Sequence, residues 1–203
     1  MPAIGITGGI ATGKTAFCDC LREILPRAGF FNADEAARTL VDVPEVRNEI
    51  QRTFGPGVFS VAGDLNRERL RTIVFADATK RRLLERILHP RIRRQWRAEA
   101  KRHRNSADFF IADIPLLYET GGERLCDRVV VVACSYKVQL ARLAQRTSLK
   151  EAEAEQMIKS QIPLEEKVRR GDHVVWNNSH RPVLAEQAQF LAALWQEQSW
   201  TKR

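Results

Sequence analysis

Apolar positions along the chain follow two periods. Short runs suited to buried strands stand at Ala3 to Thr7, from Phe30-Phe31 to Asp34, at Asp108 to Asp113, at Arg128 to Ala133 and at His173 to Trp176. Between them the spacing turns helical. Lys14 to Arg27 carries Phe17, Leu21, Ile24 and Leu25 on one side, and Val183 to Gln196 places Leu184, Ala188, Leu191 and Trp195 together. Tyr136 to Arg146 and Leu149 to Gln161 read as charged amphipathic helices joined at Thr147-Ser148. Residues from Pro44 to Arg104 also read as helical, interrupted at Phe54-Gly55-Pro56-Gly57 and from Ser60 to Asn66. A strand, turn, helix and strand within the first 35 residues form a βαβ unit, which predicts an α/β fold with a parallel sheet and helices on both faces. The long helical insertion before the third strand is a candidate substrate-binding region.

Composition narrows the class. With 203 residues, 44% hydrophobic and 29% charged, the chain is long enough for one domain of ordinary size and excludes a disordered polymer. The longest apolar run, Val129 to Cys134, suits one buried strand and falls far short of the ~20 residues a bilayer span needs. No basic and apolar leader precedes the first strand, so the expectation is a soluble, cytoplasmic protein with no membrane partner. Cys18, Cys20, Cys126 and Cys134 form no CxxC pair and have no metal-ligand spacing with the histidines; they are expected to be reduced packing residues. The net charge of +8 belongs to one segment. Lys80 to Arg104 holds eleven Lys and Arg against Glu85 and Glu99, which is either a solvated helix face or a surface that attracts a polyanion.

Gly8-Gly9-Ile10-Ala11-Thr12-Gly13-Lys14-Thr15 matches G-x-x-x-x-G-K-[ST], after a predicted strand and before a predicted helix. Successive backbone N–H groups from Gly9 to Ala16, together with the positive end of the helix dipole, can surround a phosphate chain. Lys14 adds charge at the β/γ oxygens, and the Thr15 hydroxyl can ligate Mg²⁺. A dinucleotide G-x-G-x-x-G is excluded because Ile10 holds its third position. The chain has neither D-x-x-G nor N-K-x-D, which removes guanine-nucleotide switches, and Asp113 is followed by Ile114-Pro115 where a water-activating Glu would stand in many ATPases. Transfer of the γ-phosphoryl group to an acceptor is therefore favoured over hydrolysis. Asp34, twenty positions after Lys14, either orients an acceptor hydroxyl or caps the helix beginning near Glu35.

Several separated stretches, from residue 4 to about residue 178, resemble the dephospho-coenzyme A kinase family. They are Thr7 to Thr15, Asn32-Ala33-Asp34, Leu84-Glu85 with His89-Pro90, Asp113-Ile114-Pro115-Leu116-Leu117-Tyr118-Glu119, Gln139 with Arg142 and Arg146, and Asp172 with Asn177. The resemblance implies phosphorylation of the ribose 3′-hydroxyl of dephospho-coenzyme A by ATP, with Mg²⁺. It makes Asp34 the catalytic base, adds Arg142 beside Lys14 on the transferring phosphates, and puts Asn177 with the ATP. For the acceptor it implies Asp34, Arg38, His89, Asp113 and Leu116; Asp113 serves either the acceptor or Mg²⁺ through water. The implied architecture is one P-loop kinase domain, with a core of residues 1–35, 107–138 and 172–203, a helical acceptor region at 36–106 and a helical lid at 139–171. A monomer or small homo-oligomer without nucleic acid is expected. The rivals are another small-molecule or nucleoside kinase of this class, and a nucleic-acid-binding P-loop protein using the Lys80 to Arg104 stripe. Two positions depart from the family pattern: Ala11 stands for a Gly, so a negative φ is expected there, and Asn32 stands for the first Asp of DAD.

Overall fold

A computed structural model of the chain describes residues 1–60, 63–146, 151–198 and 200. Five strands, β1 (Ala3–Gly8), β2 (Gly29–Asn32), β3 (Phe110–Asp113), β4 (Arg128–Ala133) and β5 (His173–Trp176), form one sheet in the order β2-β3-β1-β4-β5. The β1–β3, β1–β4 and β4–β5 pairs are parallel, with Ile6 opposite both Asp113 and Val130. β1, the central strand, is buried from Ile4 onward, β3 and β4 almost throughout, which is why their sequences are continuous apolar runs and do not alternate. The strand boundaries expected for β4 and β5 are the observed ones.

Nine helices lie among the described residues: α1 (Lys14–Ile24), α2 (Ala33–Leu40), α3 (Pro44–Phe54), α4 (Arg67–Ala76), α5 (Ala78–His103), α6 (Tyr136–Arg146), α7 (Glu151–Lys159), α8 (Leu164–Arg170) and α9 (Arg181–Glu197). α1 ends three residues before the expected Arg27 because Leu25 precedes Pro26, and the residue before a proline is pushed out of helical backbone; Leu25 has φ −115° and ψ 69°. α8 is an element that periodicity did not separate, being only seven residues long. The junction Thr147-Ser148, the start of the helix expected from Leu149, and Val61-Ala62 of the expected Ser60 to Asn66 interruption lie outside the described residues.

The chain divides into two compact units, Met1–Phe31 with Ala100–Arg203, and Asn32–Glu99. In the first, Phe17, Cys18 and Leu21 of α1 and Leu184, Ala188 and Trp195 of α9 pack with Ile4, Ile6, Val130 and Val132 of the sheet. In the second, Val46 and Ile50 of α3 pack with Val58, Leu70 and Ile87, and Arg91 of α5 reaches Glu49 of α3 at 2.7 Å. Cys18, Cys20 and Cys134 are buried and all four cysteines are free thiols. Among the described residues no helix is long and apolar enough to cross a membrane.

Two half-buried histidines make stability depend on pH. Burial holds His173 below the usual imidazole range, helped by Arg128 and opposed by Asp172, and its ring lies 6.3 Å from that of Trp195. His89 is lowered in the same way by burial and by Arg93, against Glu85. A histidine whose folded pKa is depressed binds fewer protons than in the unfolded chain, so its contribution is complete above about pH 6.5 and is lost as pH falls through the folded value. The melting temperature is expected to drop between pH 7.5 and 5.5, and a His89→Gln/His173→Gln variant to show a shallower drop. A melting temperature that rises on acidification over that range would contradict this assignment.

Candidate active site

The phosphate-loop motif lies where the sequence places it, between the end of β1 and the start of α1. Its path needs left-handed backbone at two points: Gly13, at φ 92° and ψ 28°, caps α1, and Ala11 has φ 57°. The negative φ expected at Ala11 is therefore wrong. The turn keeps the conformation that a glycine would adopt freely, and the Ala11 Cβ costs about 1 kcal/mol there. That side chain is buried with Leu143 of α6 and Ala154 of α7, which offsets part of the cost. Alternating right- and left-handed residues turn successive N–H groups toward a common centre, the geometry that holds anions. The first turn of α1 contains no acidic residue, so nothing opposes an anion at its positive end.

What sets the loop is the treatment of its carbonyls. Gly8 O accepts from Lys167 Nζ at 3.4 Å, and Gly9 O from Thr12 Oγ1 and Lys14 Nζ, both at 2.9 Å. Ile10 O accepts from Gln139 Nε2 at 2.8 Å. Thr12 O takes Asn177 Nδ2 at 2.9 Å and Arg142 Nη1 at 3.3 Å. In a planar trans peptide the C=O and the next N–H point in opposite directions. Each anchored carbonyl therefore aims the next N–H the other way; that of Ile10 is taken by Gln161 Oε1 at 3.1 Å, which leaves those of Gly9, Ala11 and Gly13 turned to the loop's centre. Among the described residues the buried polar side chains are Thr7, Thr12, Asp113, Gln139, Lys167 and Asn177. Three of them make these bonds from outside the loop, Thr12 makes one from within it, and Thr7 binds Pro115 O at 3.0 Å. The polar interior of the first unit is thus organised around this turn.

Arg142 and Asn177, both expected at the nucleotide, come together at the α1 end of the loop, 3.4 Å apart. Asn177 is carried there by β5, its own N–H bonded to Ala133 O at 2.7 Å. Lys14 is half-buried, while Thr15 and Ala16 are exposed on the first turn of α1. Asp113 ends β3, buried. Its carboxylate is close enough to Cys18, one turn beyond Thr15, to reinforce burial in pushing that thiol well above its usual pKa. Leu116 is half-buried in the turn after Pro115.

In the second unit β2 stops at Asn32 and α2 starts at Ala33, so Asp34 is the second residue of a helix and not a strand end. Nor is it the cap: Asn32 Oδ1 accepts from Glu35 N at 2.9 Å, the pairing an extended Asx residue makes with the third helical N–H. Asp34 and Arg38 are both exposed and lie one turn apart on α2. His89 is half-buried on α5, beside a cavity of about 480 Å³ lined also by Thr79, Arg82, Glu85, Arg86 and Pro90.

Sequence reasoning missed two anchors. Gln161 Oε1 accepts from Ile10 N at 3.1 Å, and Lys167 is the ammonium on Gly8 O. Gln139 and Glu119 stand in recognisable stretches, but no role was assigned to them.

A G-x-x-x-x-G-K-[ST] loop at the carboxyl end of the central strand of a parallel sheet, flanked by helices and backed by an arginine, defines a P-loop kinase. The family model described as dephospho-CoA kinase matches residues 2–182. A dephospho-CoA kinase of Anaeromyxobacter dehalogenans is 43% identical over 196 residues, 95% of this chain and 92% of that one. A solved structure from Thermus thermophilus has a TM-score of 0.80 at 28% identity, covering 98% of both chains. The structure of a dephospho-CoA kinase from Campylobacter jejuni has a TM-score of 0.67 at 25% identity, covering 94% of this chain and 95% of that one. The chain belongs to the dephospho-CoA kinase family, and the activity that goes with membership is ATP-dependent phosphorylation of dephospho-CoA.

The crowding behind the loop yields a test. A Cβ at Gly13 would lie 2.1 Å from Asn177 Nδ2 on a backbone with φ 92°. Gly13→Ala must therefore displace the amide that anchors Thr12 O, and ATP affinity is expected to fall by about tenfold or more as the Thr12-Gly13 peptide loses its direction. An ATP dissociation constant within twofold of wild type, measured by calorimetry, would contradict the anchoring role.

Proposed function

We propose that the chain transfers the γ-phosphoryl group of ATP to the ribose 3′-hydroxyl of dephospho-CoA, using the loop to grip the donor and Asp34 to aim the acceptor. The observation that carries the proposal is the loop itself, whose carbonyls at Gly8, Ile10 and Thr12 are bonded to surrounding side chains so that the N–H groups of Gly9, Ala11 and Gly13 are preset for phosphate oxygens. Lys14 supplies positive charge at the β/γ oxygens, and Arg142, held against Thr12 O, spreads the charge that develops on the transferring group. Asn177, bonded to both, completes the nucleotide side. Because the transition state is loose, Asp34 acts first by holding the hydroxyl in line and accepts its proton late. Arg38, on the same face of α2, supplies a cation for the acceptor's anionic groups, with His89 and Leu116 as further acceptor contacts. The basic face of α5 attracts the same polyanionic substrate.

The donor set beside the loop fits Mg²⁺. Thr15 offers a hydroxyl and Asp113 a carboxylate, hard oxygen ligands without sulfur or imidazole. No group of three or more His, Cys, Asp or Glu that could hold a metal exists among the described residues, as suits an ion held mainly by substrate phosphates. When bound, Mg²⁺ neutralises the β and γ oxygens. Residues 139–171, which hold α6 from Gln139 onward, α7 and α8, would act as the lid and exclude water, which would otherwise accept the phosphoryl group. The proposal needs neither nucleic acid nor a second subunit, and a cytoplasmic address follows from the supply of ATP.

Purified protein with ATP, Mg²⁺ and dephospho-CoA is expected to make ADP only when the acceptor is present. Lys14→Ala and Asp34→Asn should each lower turnover by on the order of 10²–10³, with Asp34→Asn still binding ATP at wild-type affinity. Full turnover in Asp34→Asn would remove that residue from the mechanism. ADP formation that another alcohol stimulates more than dephospho-CoA would remove the assigned acceptor.

A further inference from the structure

Lys167 is a charged side chain with no exposure to solvent. It projects from α8, where Glu165, Arg169 and Arg170 are exposed. A buried ammonium is tolerable only if each of its three N–H groups has an acceptor. Lys167 Nζ has three, from three separate parts of the chain: Glu119 Oε1 at 2.7 Å, Pro115 O at 3.1 Å and Gly8 O at 3.4 Å. Thr7 Oγ1 donates to the same Pro115 O at 3.0 Å, and Glu119 Oε1 also accepts from Ile162 N at 3.2 Å, just before α8. The ammonium is fully buried, whereas Glu119 lies at the surface with its side chain 19% exposed, so the pair joins the interior to the protein's edge.

We infer that Lys167 is a positioning residue for nucleotide binding: with Glu119 as its counter-ion, it holds the Gly8 carbonyl and the Pro115 carbonyl at one fixed separation. Gly8 opens the phosphate loop, and Pro115 stands two residues after Asp113. One ammonium therefore sets both the direction of the first loop peptide and the place of the strand-terminal carboxylate. Gly8 is held on its other side by the sheet, where it pairs with Val132 of β4. Without Lys167, Gly8 O is left buried and unsatisfied, and the Gly8-Gly9 peptide gains a reason to rotate. Because α8 carries the lysine, the expected lid segment is tied to the loop through this bond. The inference rests on the loop's being the ATP site.

The test measures ATP affinity by calorimetry without acceptor, so it stands apart from the identity of the alcohol. Wild type that binds ATP but phosphorylates no dephospho-CoA would sink the proposed acceptor and leave Lys167 testable. Lys167→Met is expected to weaken ATP binding by about tenfold or more. Lys167→Met leaves Glu119 unpaired and lowers the melting temperature as well. Lys167→Met/Glu119→Leu removes both charges and is expected to recover the melting temperature without recovering ATP affinity. Recovery of both would assign the pair a structural role only and overturn the inference. Should Lys167→Met fail to fold, Glu119→Gln decides the matter: a measurable rise in the ATP dissociation constant supports positioning, and no change overturns it.

Discussion

A planar peptide has two ends, and a chain that offers N–H groups to an anion must put every opposing carbonyl somewhere. That constraint organises the first unit. Gly8, Gly9, Ile10 and Thr12 direct their carbonyls to Lys167, to Thr12 with Lys14, to Gln139, and to Asn177 with Arg142. The acceptors lie within five consecutive residues, yet the donors outside the loop come from α6, α8 and the end of β5. The order β3-β1-β4-β5 is what brings them together: β1 delivers the loop at the middle of the sheet, β4 leads into α6, and β5 delivers Asn177. Large apolar side chains of α1 and α9 hold the sheet from the other direction, so the apolar core and the polar site share the same strands. Electrostatics points the same way, since the first turn of α1 is free of acid and both Lys14 and Arg142 stand beside it.

Strain and burial are concentrated at this turn. Ala11 and Gly13 take left-handed backbone, and Gly8, Gly9 and Gly13 are each approached so closely that a Cβ would collide with a neighbour. A buried ammonium and several buried amides are an expensive way to build an interior unless each is satisfied, and here each bond also orients a peptide. The same side chains therefore serve stability and binding, and substitutions among them report on both.

Much of this was legible in the chain. β4, β5 and α6 have the expected bounds because continuous apolar runs and 3.6-residue spacing are local signals, and the phosphate loop is legible because its residue types follow from its backbone. Other features depend on partners far away in sequence. Lys167, set among Glu165, Glu166, Arg169 and Arg170, has the look of a solvent-facing residue; only Glu119, Pro115 and Gly8 make its burial intelligible. Gln161 is one polar residue after a helix until Ile10 N appears beside it. Ala11 misled because alanine argues for ordinary backbone, whereas the loop's closure overrides that preference. The sequence places Asp34 at a strand end and leaves it either an acceptor-orienting group or a cap; the chain instead enters α2 at Ala33, and Asn32, two residues before Asp34, takes the capping bond.

Anchored carbonyls preset the N–H groups of Gly9, Ala11 and Gly13 for the phosphates of ATP. Hydrogen exchange of the individual amides from Gly9 to Ala16, followed by NMR with and without ATP and Mg²⁺, tests this most directly. Nucleotide is expected to slow exchange at Ala11, Gly13, Lys14 and Thr15, and replacing Gln139 or Asn177 with Ala to weaken that protection at the amide following the freed carbonyl. Unchanged exchange across the loop at saturating ATP, with protection appearing in another part of the chain, would contradict it.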